Sequence, residues 1–267
     1  MAQSVLRSTH RHLAAELWSS ARSQRPVRAI SARHPAFTLA DAYKVQRELR
    51  AMELADGAAL VGYKIGATSE AIQKMFKIDH PDFGYLTDRM LLPEGACLDP
   101  HRFISPKVEG EVAFRMEADL SGESVTAIDV LKATAEVFPA LEVLDSRFAN
   151  WEIRLVDTVA DNASSALAVL GQGVSPRGID LAAESLVFET GGSRQTARGS
   201  AVLGHPAESV ARLVQLLAPF GDGIRAGDIV LSGAWAAAVD LSPGCVAKAS
   251  FDSIGTVSLR MSRNGGA

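Results

Sequence analysis

The chain has few cysteines, no excess of basic residues and no long apolar run. Its two cysteines, Cys97 and Cys245, are too few for a disulfide framework. They read as buried thiols of a reducing compartment, the cytoplasm. No apolar run approaches the roughly 18 residues that a membrane span needs. The formal net charge of -4 removes the basic footprint expected of a nucleic-acid binder. The six histidines form no i, i+4 pair, so no zinc site is suggested. A G-x-S-x-G elbow, a P-loop and a G-x-G-x-x-G fingerprint are all missing, as are internal repeats and low-complexity segments. Regular βαβ alternation is also missing, which argues against a doubly wound parallel sheet.

What remains is an ordinary globular composition: 267 residues, 47% hydrophobic and 22% charged. Such a chain buries a core without staples. Residues 1–58 read as a helical portion. Met1 to Val27 carries four arginines and one acid, which favours a docked surface helix over a transit peptide. Thr38 and Asp41 form a capping-box-like start for a helix over Leu39 to Leu54, stopping near Gly57. Residues 59–267 read as the catalytic part of one compact unit. Strands are expected at Ala59 to Thr68, Lys107 to Met116, Ala140 to Leu144, Ser185 to Glu189, Asp228 to Ser232, Cys245 to Phe251 and Thr256 to Met261. Helices are expected at Thr126 to Phe138, closed by Pro139, at Asn162 to Leu170, and at Pro206 to Ala218. Asp79 to Gly84 reads as turn. The sum is a strand-rich mixed α/β fold behind a helical N-terminal portion.

Four places carry chemistry. In a strand, residues two apart share a face. Lys107 to Met116 then puts Val108, Val112, Phe114 and Met116 on one face, with Glu109, Glu111 and Ala113 on the other. The two carboxylates lie about 7 Å apart along the strand, from a rise of about 3.3 Å per residue. Either they face solvent, or a divalent cation removes their repulsion; oxygen-only ligands suit Mg²⁺ or Mn²⁺. Glu142 stands alone in the apolar run Pro139 to Leu144, which is costly unless it is paired. Its partner is either that cation or an arginine such as Arg147. Lys64 sits between Gly62 and Gly66, on the face opposite Val61, Tyr63 and Ile65. The glycines suggest open space for a ligand around its ammonium group, and beside a cation its pKa would fall. Finally, Asp157 to Ser165 is dense in short polar side chains before an apolar run. It is either a capping segment or a helix N-terminus that offers N–H groups to a carboxylate.

The order of these blocks is more specific than any one of them. The series is Gly62-Tyr63-Lys64-Ile65-Gly66, His80-Pro81-Asp82-Phe83-Gly84, Lys107-Val108-Glu109-Gly110-Glu111, Leu141-Glu142-Val143-Leu144-Asp145-Ser146-Arg147, and Asp157 to Ser165. It resembles the fumarylacetoacetate hydrolase superfamily, in its 2-keto-4-pentenoate hydratase and 4-oxalocrotonate decarboxylase branch. The resemblance runs from about residue 38 to residue 261. It implies a mixed β-roll, a divalent Mg²⁺ or Mn²⁺ site at Glu109, Glu111 and Glu142, catalytic roles for Lys64 and Asp82, and substrate contacts from Asn162 and Ser164. It further implies a homo-oligomer acting on a short 2-hydroxy-2,4-dienoate (a 2-oxo-4-pentenoate) in meta-cleavage aromatic breakdown. The expected reaction adds water to give a 4-hydroxy-2-oxo acid. The alternatives are decarboxylation of 2-oxo-3-hexenedioate, with Arg147 or Arg154 as partner for the second carboxylate, and a weakly active assembly partner of another pathway enzyme. Asn150-Trp151-Glu152-Ile153 followed by Asp157-Thr158 favours the hydratase. Ala67 and the pair Gly233-Ala234 depart from the common pattern, and either could alter the substrate.

Overall fold

The computed structural model describes residues 2–68 and 81–263, with side chains from residue 9 onward. Three helices come first: α1 (Ala2–Ser23), α2 (Ile30–Arg33) and α3 (Leu39–Ala55). On α1, Leu13, Ala14 and Leu17 are buried. The capping box of α3 is complete. Thr38 Oγ1 accepts from Asp41 N at 3.2 Å, and the Asp41 carboxylate accepts from Thr38 N at 3.3 Å. The Thr38 hydroxyl in turn holds the Asp41 pKa down at about 2. The buried stripe Ala42, Tyr43, Val45, Gln46 and Leu49 faces the rest of the molecule and contains one polar residue.

Two sheets follow. The first has the order β2-β1-β10-β5-β6-β7-β3, with β11 paired to β5. Its members are β1 (Leu60–Gly66), β2 (Asp82–Thr87), β3 (Leu91–Pro93), β5 (Lys107–Met116), β6 (Thr134–Leu144), β7 (Ser165–Leu170), β10 (Ile229–Leu231) and β11 (Val239–Asp240). The second runs β4-β13-β12-β8-β9, from β4 (Ala96–Leu98), β8 (Ser185–Thr190), β9 (Ser193–Arg198), β12 (Val246–Phe251) and β13 (Gly255–Met261). Helices α4 (Ala127–Lys132), α5 (Leu155–Ala160) and α6 (Pro206–Leu217) sit between strands. One core joins both sheets and the N-terminal helices. Val112, Phe114, Leu141 and Val143 of the first sheet meet Leu186, Ala249 and Val257 of the second, and the same cluster takes in Leu17 and Leu49. The opposite face of the first sheet holds a smaller cluster: Leu86, Met90, Ala113, Ala140, Ala168, Ile229 and Leu231. This is the mixed α/β roll expected from the sequence.

Several local expectations fail for identifiable reasons. The helix at Thr126 is real but ends at Lys132, and from Thr134 the chain is β6. The β-branched and aromatic residues Thr134, Val137 and Phe138 suit the ladder with β5. Pro139 does not stop the strand. Its carbonyl turns away from β5 to accept from Gly171 N at 2.9 Å, and its ring nitrogen faces the same side, so the ladder with β5 loses no donor. Asn162 to Leu170 is no helix; a left-handed turn leads into β7, which is wedged between β6 and β3. No helix N-terminus is available at Asp161 or Asn162. The expected turn at 79–84 is strand from Asp82 onward, and its earlier part lies outside the described residues. Val61 sits at an irregularity between Leu60 and Gly62 and packs with the smaller cluster, not with Tyr63 and Ile65. Both cysteines are free and half-buried, where full burial was expected.

Candidate active site and metal centre

The ladder between β5 and β6 assembles the carboxylates. Glu109 lies directly opposite Glu142, and Glu111 follows two residues on, on the same face. Oxygens of all three lie within 4.8 Å of one another. Like charges placed across a ladder destabilise it, and here the surroundings cannot screen them: Glu111 and Glu142 are both 0% exposed. The titration behaviour follows. Loss of hydration, then the charge of Glu142, raises the Glu109 pKa to about 7 even with Lys64 pulling it down. The same causes, with Glu109 added, push Glu111 well above the usual carboxylate range. Gly233 N donates to Glu111 Oε2 at 2.8 Å. Glu111 Oε1 and both Glu142 oxygens have no hydrogen-bond partner among the described residues.

Buried acceptors without donors are costly. A divalent cation supplies what three converging carboxylates lack, and a donor set made only of oxygen suits a hard ion such as Mg²⁺ or Mn²⁺. The residues present therefore fit the ion.

Lys64 enters from β1, its Nζ 3.5 Å from Glu142 Oε1. This is an ion pair without hydrogen-bond geometry, which is why Glu142 still lacks a donor. Burial works against the ammonium form, but Glu142, Asp82, Glu109 and Glu111 outweigh it, and the Lys64 pKa is raised. The sequence reading assumed a cation beside the lysine and a lowered value; the carboxylates by themselves act the other way. The flanking glycines also differ from expectation. A Cβ on Gly66 would collide with Asp82 Oδ1 and lie 3.5 Å from Lys64 Nζ, so Gly66 brings those two groups together. Gly62, at φ +150°, would drive a Cβ into the carbonyl of Ile229. Its role is close strand packing, not open space.

Asp82 opens β2 and pairs with Gly66. Asn162, Ala163 and Ser164 take φ values of +53°, +50° and +56°. Both side chains expected to contact substrate have protein partners. Asn162 Oδ1 accepts from Tyr85 N at 2.8 Å, its Nδ2 donates to Tyr85 O at 3.0 Å, and the Ser164 hydroxyl lies 2.9 Å from that of Thr158. Arg147 is committed as well. Its Nε and Nη2 pair with the carboxylate and carbonyl of Asp161, and its Nη1 donates to Ser165 O at 3.2 Å. It is thus not the partner of Glu142. Arg154 is exposed at the start of α5. Sequence reasoning assigned no role to Gln46, and it placed Asp161 in the polar segment Asp157 to Ser165 as a candidate cap, not as the partner of Arg147. The available signal for Gln46 was a lone amide in the apolar stripe of α3.

A Glu-x-Glu strand, half-buried at Glu109 and buried at Glu111, faces a third glutamate with a lysine and an aspartate beside them, a carboxylate centre in a β-roll that could hold a metal ion. Residues 61–262 match the family model described as fumarylacetoacetate (FAA) hydrolase C-terminal. The chain belongs to that family. It is 40% identical over 248 residues to a 2-hydroxyhexa-2,4-dienoate hydratase of Comamonas testosteroni, covering 91% of this chain and 94% of that one. It is 42% identical over 209 residues to a 2-hydroxypent-2,4-dienoate hydratase of Pseudomonas putida, covering 77% and 94%. Its fold is similar to that of a 4-oxalocrotonate decarboxylase from Pseudomonas putida G7 complexed with magnesium and adipate. That likeness has a TM-score of 0.92 at 35% identity, over 96% of this chain and 98% of that one.

Proposed function

We propose that the chain is a metal-dependent hydratase that adds water to a short 2-hydroxy-2,4-dienoate, giving a 4-hydroxy-2-oxo acid. The observation that carries this is the convergence of Glu109, Glu111 and Glu142 beside Lys64, in a chain whose relatives at 40% and 42% identity are named dienoate hydratases. The three glutamates would hold the cation, which when bound supplies Lewis acidity toward the substrate's C1 carboxylate and C2 oxygen. For a five-carbon dienoate, a proton arrives at C5 as the 2-hydroxyl loses its own. Water then adds at C4 and a proton at C3, a net gain of one water. Lys64, its Nζ 3.5 Å from Glu142 Oε1, presents positive charge where the enolate develops. Asp82, on the next strand across Gly66, is the paired group through which protons leave and return. Asn162 and Ser164 shape the wall behind β2. No helix among the described residues is long and apolar enough to cross a membrane. The proposal places the enzyme in the cytoplasm as a homo-oligomer, which light scattering on the purified chain would read.

The 4-oxalocrotonate decarboxylase neighbour supports a second reading, decarboxylation of 2-oxo-3-hexenedioate on the same carboxylates. One experiment separates the two. The isolated chain, loaded with Mg²⁺ or Mn²⁺, is given each substrate, and water addition and CO₂ release are followed. The hydratase reading expects water addition without CO₂; CO₂ release from the diacid would replace it. A chain that holds metal and turns over neither would instead be an assembly partner. Glu109→Ala is expected to lose bound metal and metal-dependent turnover together. Retained activity with a full metal complement would remove Glu109 from the ligand set.

A further inference from the structure

Strand β2 carries Asp82 and lies at the end of its sheet, and among the described residues β1 is its one strand neighbour. An edge strand exposes a row of backbone donors and acceptors that must be satisfied in some other way. Along β2 the backbone groups alternate in direction. Those of Asp82, Gly84 and Leu86 face β1, and those of Phe83 and Tyr85 face outward. Two buried side-chain amides meet three of the four outward groups, and the fourth, Phe83 N, is the backbone hydrogen-bond partner of Tyr43. Gln46 Nε2, from α3, donates to Phe83 O at 2.8 Å and to Val159 O of α5 at 2.9 Å. Asn162 Oδ1 accepts from Tyr85 N at 2.8 Å, and Asn162 Nδ2 donates to Tyr85 O at 3.0 Å. The Asn162 pair reproduces the two-bond exchange a neighbouring strand would make, and both protons of the Gln46 amide are used.

We infer that Gln46 and Asn162 are positioning residues: their amides stand in for the missing strand on the open edge of β2 and fix where Asp82 and Lys64 stand. The transmission is short. Gly84 is the ladder partner of Lys64, and Asp82 that of Gly66. A Cβ on Gly84 would lie 2.7 Å from Asn162 O and 2.8 Å from its Oδ1, so Asn162 fits directly against the backbone opposite the lysine. Asn162 is itself held at φ +53°, a conformation that asparagine tolerates better than most residues. Arg147 helps to hold it there, since its N donates to Asp161 Oδ2 at 2.9 Å and its guanidinium reaches the Ser165 carbonyl beyond the turn.

The catalytic consequence rests on the proposed hydratase reading; the clamp itself does not. Two variants test it. Asn162→Gly keeps the left-handed backbone at no steric cost and deletes only the amide. Gln46→Met keeps the length of the side chain and deletes both donors. Both leave the metal ligands in place, so Mn²⁺ stoichiometry and affinity should match wild type. Deuterium exchange should quicken across residues 82–87. In turnover, kcat should fall about 10- to 100-fold with KM changed by no more than about two-fold, as expected when a catalytic group is displaced by a fraction of its reach. Folded variants with wild-type exchange at 82–87, or with wild-type kcat, would overturn the inference. A raised KM at unchanged kcat would overturn it too, by making Asn162 a substrate contact. If wild type shows no hydratase activity, that reading fails alone and the exchange arm decides the clamp. If Asn162→Gly does not fold, Gln46→Met carries the test.

Discussion

At the scale of the residue, the buried charges follow one rule: each is tolerated only with its counterpart. Asp161 shows it away from the metal centre. Burial raises its pKa to about 6, although Arg147 beside it favours the ionised form. Both residues are buried, and the guanidinium also ties the Asp161 and Ser165 carbonyls. Removing the carboxylate strands a cation in the core. Asp161→Ala should therefore lose about 3–5 kcal/mol of stability, read from the urea midpoint. A loss below about 1 kcal/mol would mean that water reaches Arg147. The proposed ligand set extends the rule to the three glutamates, with a divalent ion as the counterpart. That is why Glu109→Ala is expected to act on metal content first and on turnover through it.

At the scale of the element, geometry rests on close approaches that only small residues permit. Gly62 is the strongest case, because β1 and β10 run parallel there and a methyl group would overlap the Ile229 carbonyl. Gly62→Ala should cost about 3 kcal/mol or more, combining backbone strain with a parted strand pair. A circular-dichroism melt checks it, and an unchanged melting temperature would contradict the packing described. What could be read from the sequence divides along similar lines. Strand β5 and the two-residue spacing of Glu109 and Glu111 were legible because a period of two is a local property. The cap of α3 was legible because Thr38 and Asp41 find each other within one turn. Strands β6 and β7 were misread as helix in part because both of their faces are packed, Val137, Leu141 and Val169 against the main core and Ala140 and Ala168 against the smaller cluster, which erases alternation and leaves apolar runs. Strand β2 was hidden because its outer partners are side chains from α3 and from the turn at Asn162, more than thirty residues away in sequence. The meeting of Glu142 with Glu109 could not be read from spacing, since it depends on the register between β5 and β6. The cost of a lone carboxylate in an apolar run left the cation or an arginine open as the partner of Glu142, and the resemblance pointed to the cation.

At the scale of the whole molecule, folding and the proposed metal binding draw on the same carboxylates. In the unfolded chain Glu109 titrates near the ordinary glutamate value of 4.5, whereas in the folded, cation-free protein it is raised to about 7, with Glu111 raised well above the usual range. Between those values the folded state holds protons that the unfolded state has released. Stability therefore falls as pH rises through that window, the sign expected for a carboxylate whose pKa is raised by folding. A divalent cation competes with those protons, so its binding releases them and its apparent affinity climbs with pH. Bound at a concentration of about 100 times its Kd, it would add about 2.7 kcal/mol to the folded state. The melting temperature of EDTA-treated protein should then drop further below that of the Mg²⁺-loaded protein at pH 8 than at pH 5.5. The difference between the two preparations is the quantity to follow, because other groups such as Asp41, whose pKa is lowered to about 2, add the same background to both. Calorimetry in buffers of different ionisation enthalpy should show proton release on Mg²⁺ binding below pH 7. A gap in melting temperature that does not vary with pH, together with no proton release, would mean that the three glutamates are already ionised before the cation arrives.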